Sequence, residues 1–390
     1  MNVYLTNKKI GIYLLVFSTF LLFYFITSPG NTPYDYFTRL AAAFLQGKTY
    51  LTENPSWLSE LIPAGQSRFY VPYPSMPAIL AMPFVYLFKN NFHQEYLAHL
   101  LGAGMVILTI KMSLLIKKNT KLAIWSGILV GMGSIIWFLS SVGSSWYLGQ
   151  ITAAFFLLAA LVEALGKKRL IHIGIFLGAA YLARYHAILS LPFFLFLLKP
   201  KLKKLSTWSY LGFSFFIFFL FDAIYNFRRF GVFWNKGYLL IPGIMEEPWF
   251  SKGLMHPSYI IGNLKVAFLS LPIFQKSFPY LKPSWGGLSI LLTTPAFIFS
   301  LTSKFKERVN QFAWLSVILI FGFVAMHGSS GFAQFGYRFA VDFYPFLIFL
   351  TIKGVARTGL KKIHWLLLFA GVIVNLWGVL WINKFGWVGF

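Results

Sequence analysis

The chain has no cysteine among its 390 residues. Disulfides, thiolate metal sites and a cysteine nucleophile are therefore excluded, and cysteine usage says nothing of the redox compartment. Acidic residues are almost as scarce, ten aspartates and glutamates against 34 lysines and arginines. Only 11% of the residues are charged, well below the roughly 25% of a typical soluble domain. Apolar residues fill the space. They make up 58% of the chain, the mean hydropathy is +0.68, and runs of roughly 17 to 25 apolar residues, each enough to cross about 30 Å of hydrocarbon, recur from end to end. A soluble globular enzyme is excluded. The composition is that of an all-α polytopic membrane protein, read as one domain over 1–390.

The formal net charge is +24. A footprint for nucleic acid would gather on one face or stripe, whereas these cations stand between the apolar runs. They form the clusters Lys8, Lys9; Lys117, Lys118, Lys121; Lys167, Lys168, Arg169; Lys199, Lys201, Lys203, Lys204; Lys304, Lys306, Arg308; and Lys353, Arg357, Lys361, Lys362. No nucleic-acid partner is expected. The clusters fall in alternate connections, as the positive-inside rule requires of cytoplasmic loops. This puts the protein in the cell membrane with its N-terminus in the cytoplasm and its C-terminus outside. Crossings are expected near 10–27, 95–116, 122–140, 148–165, 207–226, 286–302, 310–326, 343–356 and 363–382. Between Arg169 and Lys199 the chain is too long for one span and too short for two full ones. Two shortened helices meeting near Ala183-Arg184-Tyr185-His186 resolve the count at about eleven spans. The first run, Ile10 to Ile26, follows Asn7-Lys8-Lys9 as a signal sequence would, but no small-x-small cleavage site comes after it, so it is expected to stay as the first helix.

Two connections on the outer side, 28–94 and 227–285, are long enough to fold, which places the working face outside. In the first, Tyr34 to Lys48 reads as a helix with Thr32 as N-cap and Pro33 at the first helical position. Ser75 to Lys89 reads as a second, after Tyr70-Val71-Pro72-Tyr73-Pro74. Both are apolar with few charges, as helices lying in the membrane interface are. In the second connection, Pro257 to Pro272 is amphipathic, and Trp234, Trp249 and Trp285 suit the headgroup zone.

With so few acids, each can be weighed. Glu163 and Glu307 stand beside cytoplasmic basic clusters and are expected to partner them. Glu53, Glu60, Glu246 and Glu247 lie mid-loop and read as wet residues. Glu95, at the start of the second span, should face headgroups. Asp35, Asp222 and Asp342 remain. Each lies near the outer boundary with a polar partner four residues away, Arg39, Asn226 and Arg338 respectively, a spacing that puts both on one helical face. Capping and ion pairing would explain each alone. Three at one depth, joined by Arg184 and by Arg228-Arg229, point to an anion-binding pocket, because ionisable groups near hydrocarbon are costly. Arginines suit a phosphate through charge-assisted, often bidentate hydrogen bonds.

The order of segments now carries a resemblance. After one span comes Tyr34-Asp35-Tyr36-Phe37-Thr38-Arg39-Leu40-Ala41-Ala42-Ala43-Phe44-Leu45-Gln46-Gly47-Lys48-Thr49-Tyr50-Leu51, then Tyr70-Val71-Pro72-Tyr73-Pro74-Ser75-Met76-Pro77. Later come Leu182-Ala183-Arg184-Tyr185, then Tyr225-Asn226-Phe227-Arg228-Arg229-Phe230-Gly231 with Gly237-Tyr238. Last is Phe335-Gly336-Tyr337-Arg338-Phe339-Ala340-Val341-Asp342-Phe343-Tyr344-Pro345. The chain resembles the GT-C superfamily of polyprenyl-phosphate-sugar-dependent glycosyltransferases, in particular the protein O-mannosyltransferase and aminoarabinose transferase branch. The resemblance implies a membrane glycosyltransferase that moves a sugar from a polyprenyl-phosphate carrier to a lipid, glycan or protein acceptor on the extracytoplasmic face, with inversion. It puts the catalytic carboxylate, the general base, on Asp35. Arg184, Arg338 and Arg228 or Arg229 become the ligands of the donor phosphate, with Arg39, Asp222, Asn226, Tyr337 and Asp342 in support. Some relatives use a divalent ion, which leaves a metal open here. The sequence departs from several relatives in having no second acid adjacent to Asp35.

Two other classes are weighed against this reading. A secondary transporter or lipid flippase would place charged sites near the midplane in broken helices and often shows an internal repeat; neither is visible. A membrane acyltransferase would need a catalytic histidine, for which His186 and His327 are the candidates, but a lone histidine in or near a span is more often a satisfied structural residue.

Overall fold

An apolar run in hydrocarbon has one stable form, the helix, because only there are all backbone groups satisfied within the segment. The computed structural model, which describes residues 3–199, 205–331 and 333–389, obeys this almost throughout. Lys201, Lys203, Lys204 and Phe390, expected at defined sides of the membrane, lie outside those residues.

The helix α1 (Val3–Thr27) leads into α2 (Tyr36–Leu45) and α3 (Met76–Phe88) in the first long connection. Then follow α4 (Gln94–Ile116), α5 (Thr120–Gly131), α6 (Ile136–Val142), α7 (Ser145–Leu165), α8 (Leu170–Ala183), α9 (Leu191–Leu198) and α10 (Leu205–Phe230). The second long connection holds α11 (Ile260–Leu269). It is followed by α12 (Ile290–Thr293), α13 (Arg308–Ala325), α14 (Tyr344–Thr358) and α15 (Lys362–Gly378). Among the described residues strands are confined to two short antiparallel pairs, β1 (Ile62–Pro63) with β2 (Phe69–Tyr70) and β3 (Ile273–Phe274) with β4 (Leu281–Lys282). In the first, Ile62 stands opposite Tyr70.

Among the described residues six helices are long and apolar enough to cross a membrane: α1, α4, α7, α10, α13 and α15 with its continuation to Lys384. The pair α5 and α6, bent by 51°, makes a seventh. Of the about eleven expected spans, two of them expected as shortened helices, six or seven are present as helices long enough to cross, and the breaks in the others have causes. After α8, Arg184 is extended (φ −150°, ψ 107°), Tyr185–Ser190 forms a 3₁₀ turn, and Pro192 begins α9, since proline fits only the first turn of a helix. The expected 286–302 crossing divides in the same way, at Thr294-Pro295 between α12 and a 3₁₀ segment.

α4 packs against α1, α5 and α7, α7 against α8, α8 against α10, and α13 against α9 and α14, while α2 and α3 pack on each other. Trp125, Trp137, Tyr24, Phe37, Phe193 and Tyr344 are fully buried between them. The outward faces stay apolar: Leu14, Leu15 and Phe25 of α1 and Phe213, Phe216 and Ile217 of α10 are all exposed. Apolar surface on this scale is stable only against lipid.

Candidate active site

Asp35 stands immediately before α2, one residue inside the expected helix start. Thr32 does not cap α2; its hydroxyl accepts from Tyr34 N–H at 3.2 Å, closing a turn that delays the helix to Tyr36. The Asp35 carboxylate turns to Arg39, with Oδ1 accepting from Nε at 2.9 Å, and Arg39 reaches on to Glu53 at 2.8 Å. The backbone on both sides of Asp35 is tied down by Gln94 at the start of α4. Gln94 Nε2 donates to the Tyr34 carbonyl (3.0 Å) and the Gly143 carbonyl (2.8 Å), and its Oε1 accepts from Phe37 N–H (3.2 Å). Ser145 adds a hydroxyl bond to the Tyr34 carbonyl at 2.7 Å. Gly143 makes this junction possible. Its φ is +61°, and a Cβ there would lie 2.5 Å from Glu95 Cα. That close approach also corrects the expectation for Glu95, which does not face outward but is buried, 2% exposed. Asp35, Thr38, Arg39, Lys48, Glu53 and Lys89 line one open cleft of about 440 Å³.

The arginines gather elsewhere. Arg184 Nη2 meets Asp342 Oδ2 at 2.9 Å, and His186 Nε2 meets the same oxygen at 2.8 Å. The expected Asp342–Arg338 pair does not form, because 338–342 is a 3₁₀ turn, where residues four apart no longer share a face. Arg338 instead bonds Gln150 Oε1 at 3.4 Å, and Gln150 Nε2 donates back to its carbonyl at 3.0 Å. Both guanidinium groups lie over the Phe339 ring, at 5.9 Å for Arg184 and 4.8 Å for Arg338. Asp342 is the one carboxylate paired to either of them among the described residues. Nε of Arg184 and Nε of Arg338 are buried without a hydrogen-bond partner. Two guanidinium groups, one ionic partner and two free donors make a place where an anion would relieve an unbalanced charge.

Glu60 is the residue that sequence reasoning missed. Read as a wet loop acid, it is in fact enclosed: Tyr73 OH and Trp146 Nε1 (3.2 Å) donate to its Oε2, and its own N–H donates to Tyr36 OH at 3.1 Å. Burial pushes its carboxyl up to about 7, against the pull of the Trp146 hydrogen bond and of Arg338. No local pattern announces this. The nearest signal is the aromatic density of Tyr34, Tyr36, Tyr73 and Trp146, whose rings are mutual neighbours.

The other predicted residues are placed apart. Asp222 accepts from Tyr181 OH (3.2 Å) and Tyr185 OH (3.0 Å). Asn226 Oδ1 accepts from Arg229 Nη2 (2.8 Å), while Arg229 Nη1 donates to the Val71 carbonyl (2.6 Å) and the guanidinium stacks on Tyr225 at 3.7 Å. Arg229 thus fastens the Val71-Pro72 segment to α10, and Arg228 is exposed. Tyr337 OH donates to Asn263 Oδ1 at 3.2 Å. His327 Nδ1 lies 2.8 Å from the Ser329 carbonyl. Glu163 pairs with Arg169 and Glu307 with Lys353, both at 2.7 Å. Among the described residues no three His, Cys, Asp or Glu side chains are placed to hold a metal ion. Three acids line the cleft, Asp35, Glu53 and Glu95; the first two are occupied by Arg39 and the third is buried, so a divalent ion does not fit.

Solved structures share this architecture. ArnT from Cupriavidus metallidurans bound to undecaprenyl phosphate superposes with a TM-score of 0.56 and 14% identity, over 96% of this chain and 64% of that one. The Archaeoglobus fulgidus oligosaccharyltransferase in the apo form gives 0.52 and 13%, over 95% and 55%. The chain has the GT-C fold. It spans less than two thirds of the length of either neighbour, and at these identities the likeness is one of fold. No protein-family model matches the sequence, and no curated protein matches it. Within this fold, the three polar centres fall in the first long connection (Asp35 and Glu60), at the α8–α9 break (Arg184) and in the turn before α14 (Arg338 and Asp342).

Proposed function

We propose that the chain is a membrane glycosyltransferase of GT-C type that moves a sugar from a polyprenyl-phosphate carrier to an acceptor hydroxyl on the extracytoplasmic face. The observation that carries this is the Arg184–Arg338 pair, two partly buried guanidinium groups with a single ionic partner and free Nε donors. A lipid-linked phosphate is an anion that arrives from the membrane side. The GT-C fold supports the reading, and one neighbour with that fold is ArnT bound to undecaprenyl phosphate.

In this mechanism Asp35 is the general base. The acceptor O–H gives its proton to the Asp35 carboxylate while its oxygen forms a bond to the anomeric carbon. The bond from that carbon to the phosphate oxygen breaks, and its electron pair leaves on the phosphate, where Arg184 and Arg338 stabilise the charge. One displacement inverts the anomeric centre. Arg39 holds the Asp35 carboxylate and Gln94 holds its backbone, so the base is fixed before the acceptor enters the cleft. The basic clusters support a cytoplasmic N-terminus and an outer C-terminus.

The test is to incubate purified protein with radiolabelled undecaprenyl-phosphate sugars and a panel of lipid, glycan and peptide acceptors. Transfer of label to any acceptor, with release of undecaprenyl phosphate, is expected. Binding of undecaprenyl phosphate without transfer from any donor would sink the enzyme reading and leave a lipid-phosphate binder.

A further inference from the structure

We propose that Glu60 is the carboxylate that recognises the donor's sugar, accepting hydrogen bonds from its ring hydroxyls next to the arginines that hold the phosphate. The inference rests on the transferase reading. It selects a sugar whose hydrogen-bond donors reach Glu60 Oε1 as the transferred group.

The geometry comes from three separate segments. Tyr36 from α2, Tyr73 from the loop before α3 and Trp146 from α7 all bond Glu60. Both side-chain donors converge on Oε2. Oε1 makes no hydrogen bond among the described residues, and the side chain is half-buried rather than sealed. Oε1 is not among the enclosed atoms, so it faces the space beside the aromatic cage, where a ligand hydroxyl would take the place of water. The carboxylate is gripped by one oxygen and offers the other.

Its position fits a sugar rather than a phosphate or an acceptor. Arg338 is close enough to pull on the Glu60 carboxyl, and Tyr238, from the second outer connection, is its further titratable neighbour. Tyr36, the residue following Asp35, accepts from the Glu60 backbone N–H. Glu60 is thus tied by Tyr36 to the segment that carries Asp35 and lies within electrostatic reach of Arg338, and on the transferase reading a sugar esterified to a phosphate at Arg338 would be presented beside it. The Tyr36, Tyr73 and Trp146 rings around it supply the apolar faces that carbohydrate rings stack on.

Ionisation gives a readout that a structural role would not. Glu60 faces Tyr36, Tyr73, Trp146, Tyr238 and Arg338 and, among the described residues, no second carboxylate. Its own titration near 7 should therefore appear in sugar binding: below that pH the protonated carboxyl loses acceptor strength and the sugar's contribution to affinity falls.

The experiment compares binding of undecaprenyl phosphate with binding of undecaprenyl-phosphate glucose, mannose and galactose, in wild type and in Glu60→Gln, between pH 5.5 and 8.5. At pH 8 at least one sugar-bearing lipid should bind wild type about tenfold or more tightly than the bare lipid phosphate, as a charge-assisted hydrogen bond allows. That increment should shrink below about pH 7 and be absent at every pH in Glu60→Gln, whose affinity for the bare lipid phosphate is unchanged. Glu60→Asp, which keeps the charge but withdraws it, should retain part of the increment and guards against a folding defect in the Gln variant. An increment that survives intact in Glu60→Gln overturns the inference, and so does a variant that loses turnover without losing it. Failure of wild type to bind even bare undecaprenyl phosphate overturns the transferase reading itself.

Discussion

Arg184 and Asp342, 158 residues apart in the sequence, are joined by an ion pair of 2.9 Å, and His186 shares the same carboxylate oxygen. The pair ties the α8–α9 break to the turn before α14. It also holds one guanidinium edge while leaving the Nε donor free.

Changing Arg184 to Ala should therefore weaken phosphate binding more than folding, because Asp342 keeps His186 as a partner. A charged hydrogen bond contributes about 1.5–3 kcal/mol, so affinity for undecaprenyl phosphate should drop about ten- to a hundredfold. Titration of the purified variant checks this, and an unchanged affinity in a well-folded protein would leave Arg184 a structural tie.

Asp35→Asn keeps the size of the side chain and a bond to Arg39 but removes the basicity. General base catalysis contributes roughly 10²–10⁴-fold. Turnover should fall by at least about a hundredfold while the donor binds nearly as well. A variant retaining a tenth of wild-type turnover would return Asp35 to the role of a partner for Arg39.

Glu60 makes stability depend on pH. Its carboxyl titrates at about 7 in the folded protein against an ordinary 4.5. The native state therefore holds its proton to higher pH than the unfolded state does, and stability is lost as pH rises from about 4.5 to about 7. The span corresponds to on the order of 3 kcal/mol. Thermal unfolding of wild type and Glu60→Gln in one detergent should diverge over this range, the variant gaining relative stability as pH rises. Parallel curves would show that the carboxyl is not desolvated.

Gly143→Ala should cost more than a surface change. The residue would have to hold φ at +61° with its Cβ against Glu95 Cα, and strain of this kind costs of order 1–3 kcal/mol before any clash is relieved. Because the Gly143 carbonyl anchors Gln94, which holds Tyr34 and Phe37, turnover should fall along with the melting temperature. A normal melting temperature with normal turnover would mean that the junction gives easily.

The cysteine-free background makes sidedness directly measurable. A single cysteine at Trp249 should react with an impermeant maleimide in intact cells, and one at Lys361 only after permeabilisation. The reverse pattern would invert the topology and remove the outer-face reaction.

Spans were legible because each rests on a contiguous apolar run, and the break at Arg184 could be found by counting residues between two basic clusters. The Asp35–Arg39 pair was legible for a similar reason, since four residues along an α-helix always share a face. What was hidden is long-range or depends on helix type. Asp342 misses Arg338 because the turn is 3₁₀, and finds Arg184 through tertiary packing. Arg229 is taken by a carbonyl 158 residues away. Glu60 looks like any loop acid until Trp146, 86 residues on, closes over it.

The shortness of α8 has a consequence for the membrane itself. Its 14 residues rise about 21 Å at 1.5 Å each, some 9 Å less than a hydrocarbon layer of about 30 Å. With α8 starting at the inner edge of the hydrocarbon, as the Lys167-Lys168-Arg169 cluster leads us to expect, Arg184 at its end would lie below the plane of the outer headgroups unless the bilayer is pinched beside it. A carrier whose phosphate reaches that guanidinium must sink relative to its neighbours or enter where the leaflet is locally thinned. Either way, lipid acyl-chain length becomes a variable of the reaction: in vesicles of graded thickness, donor affinity should peak in thin bilayers and decline as the acyl chains lengthen.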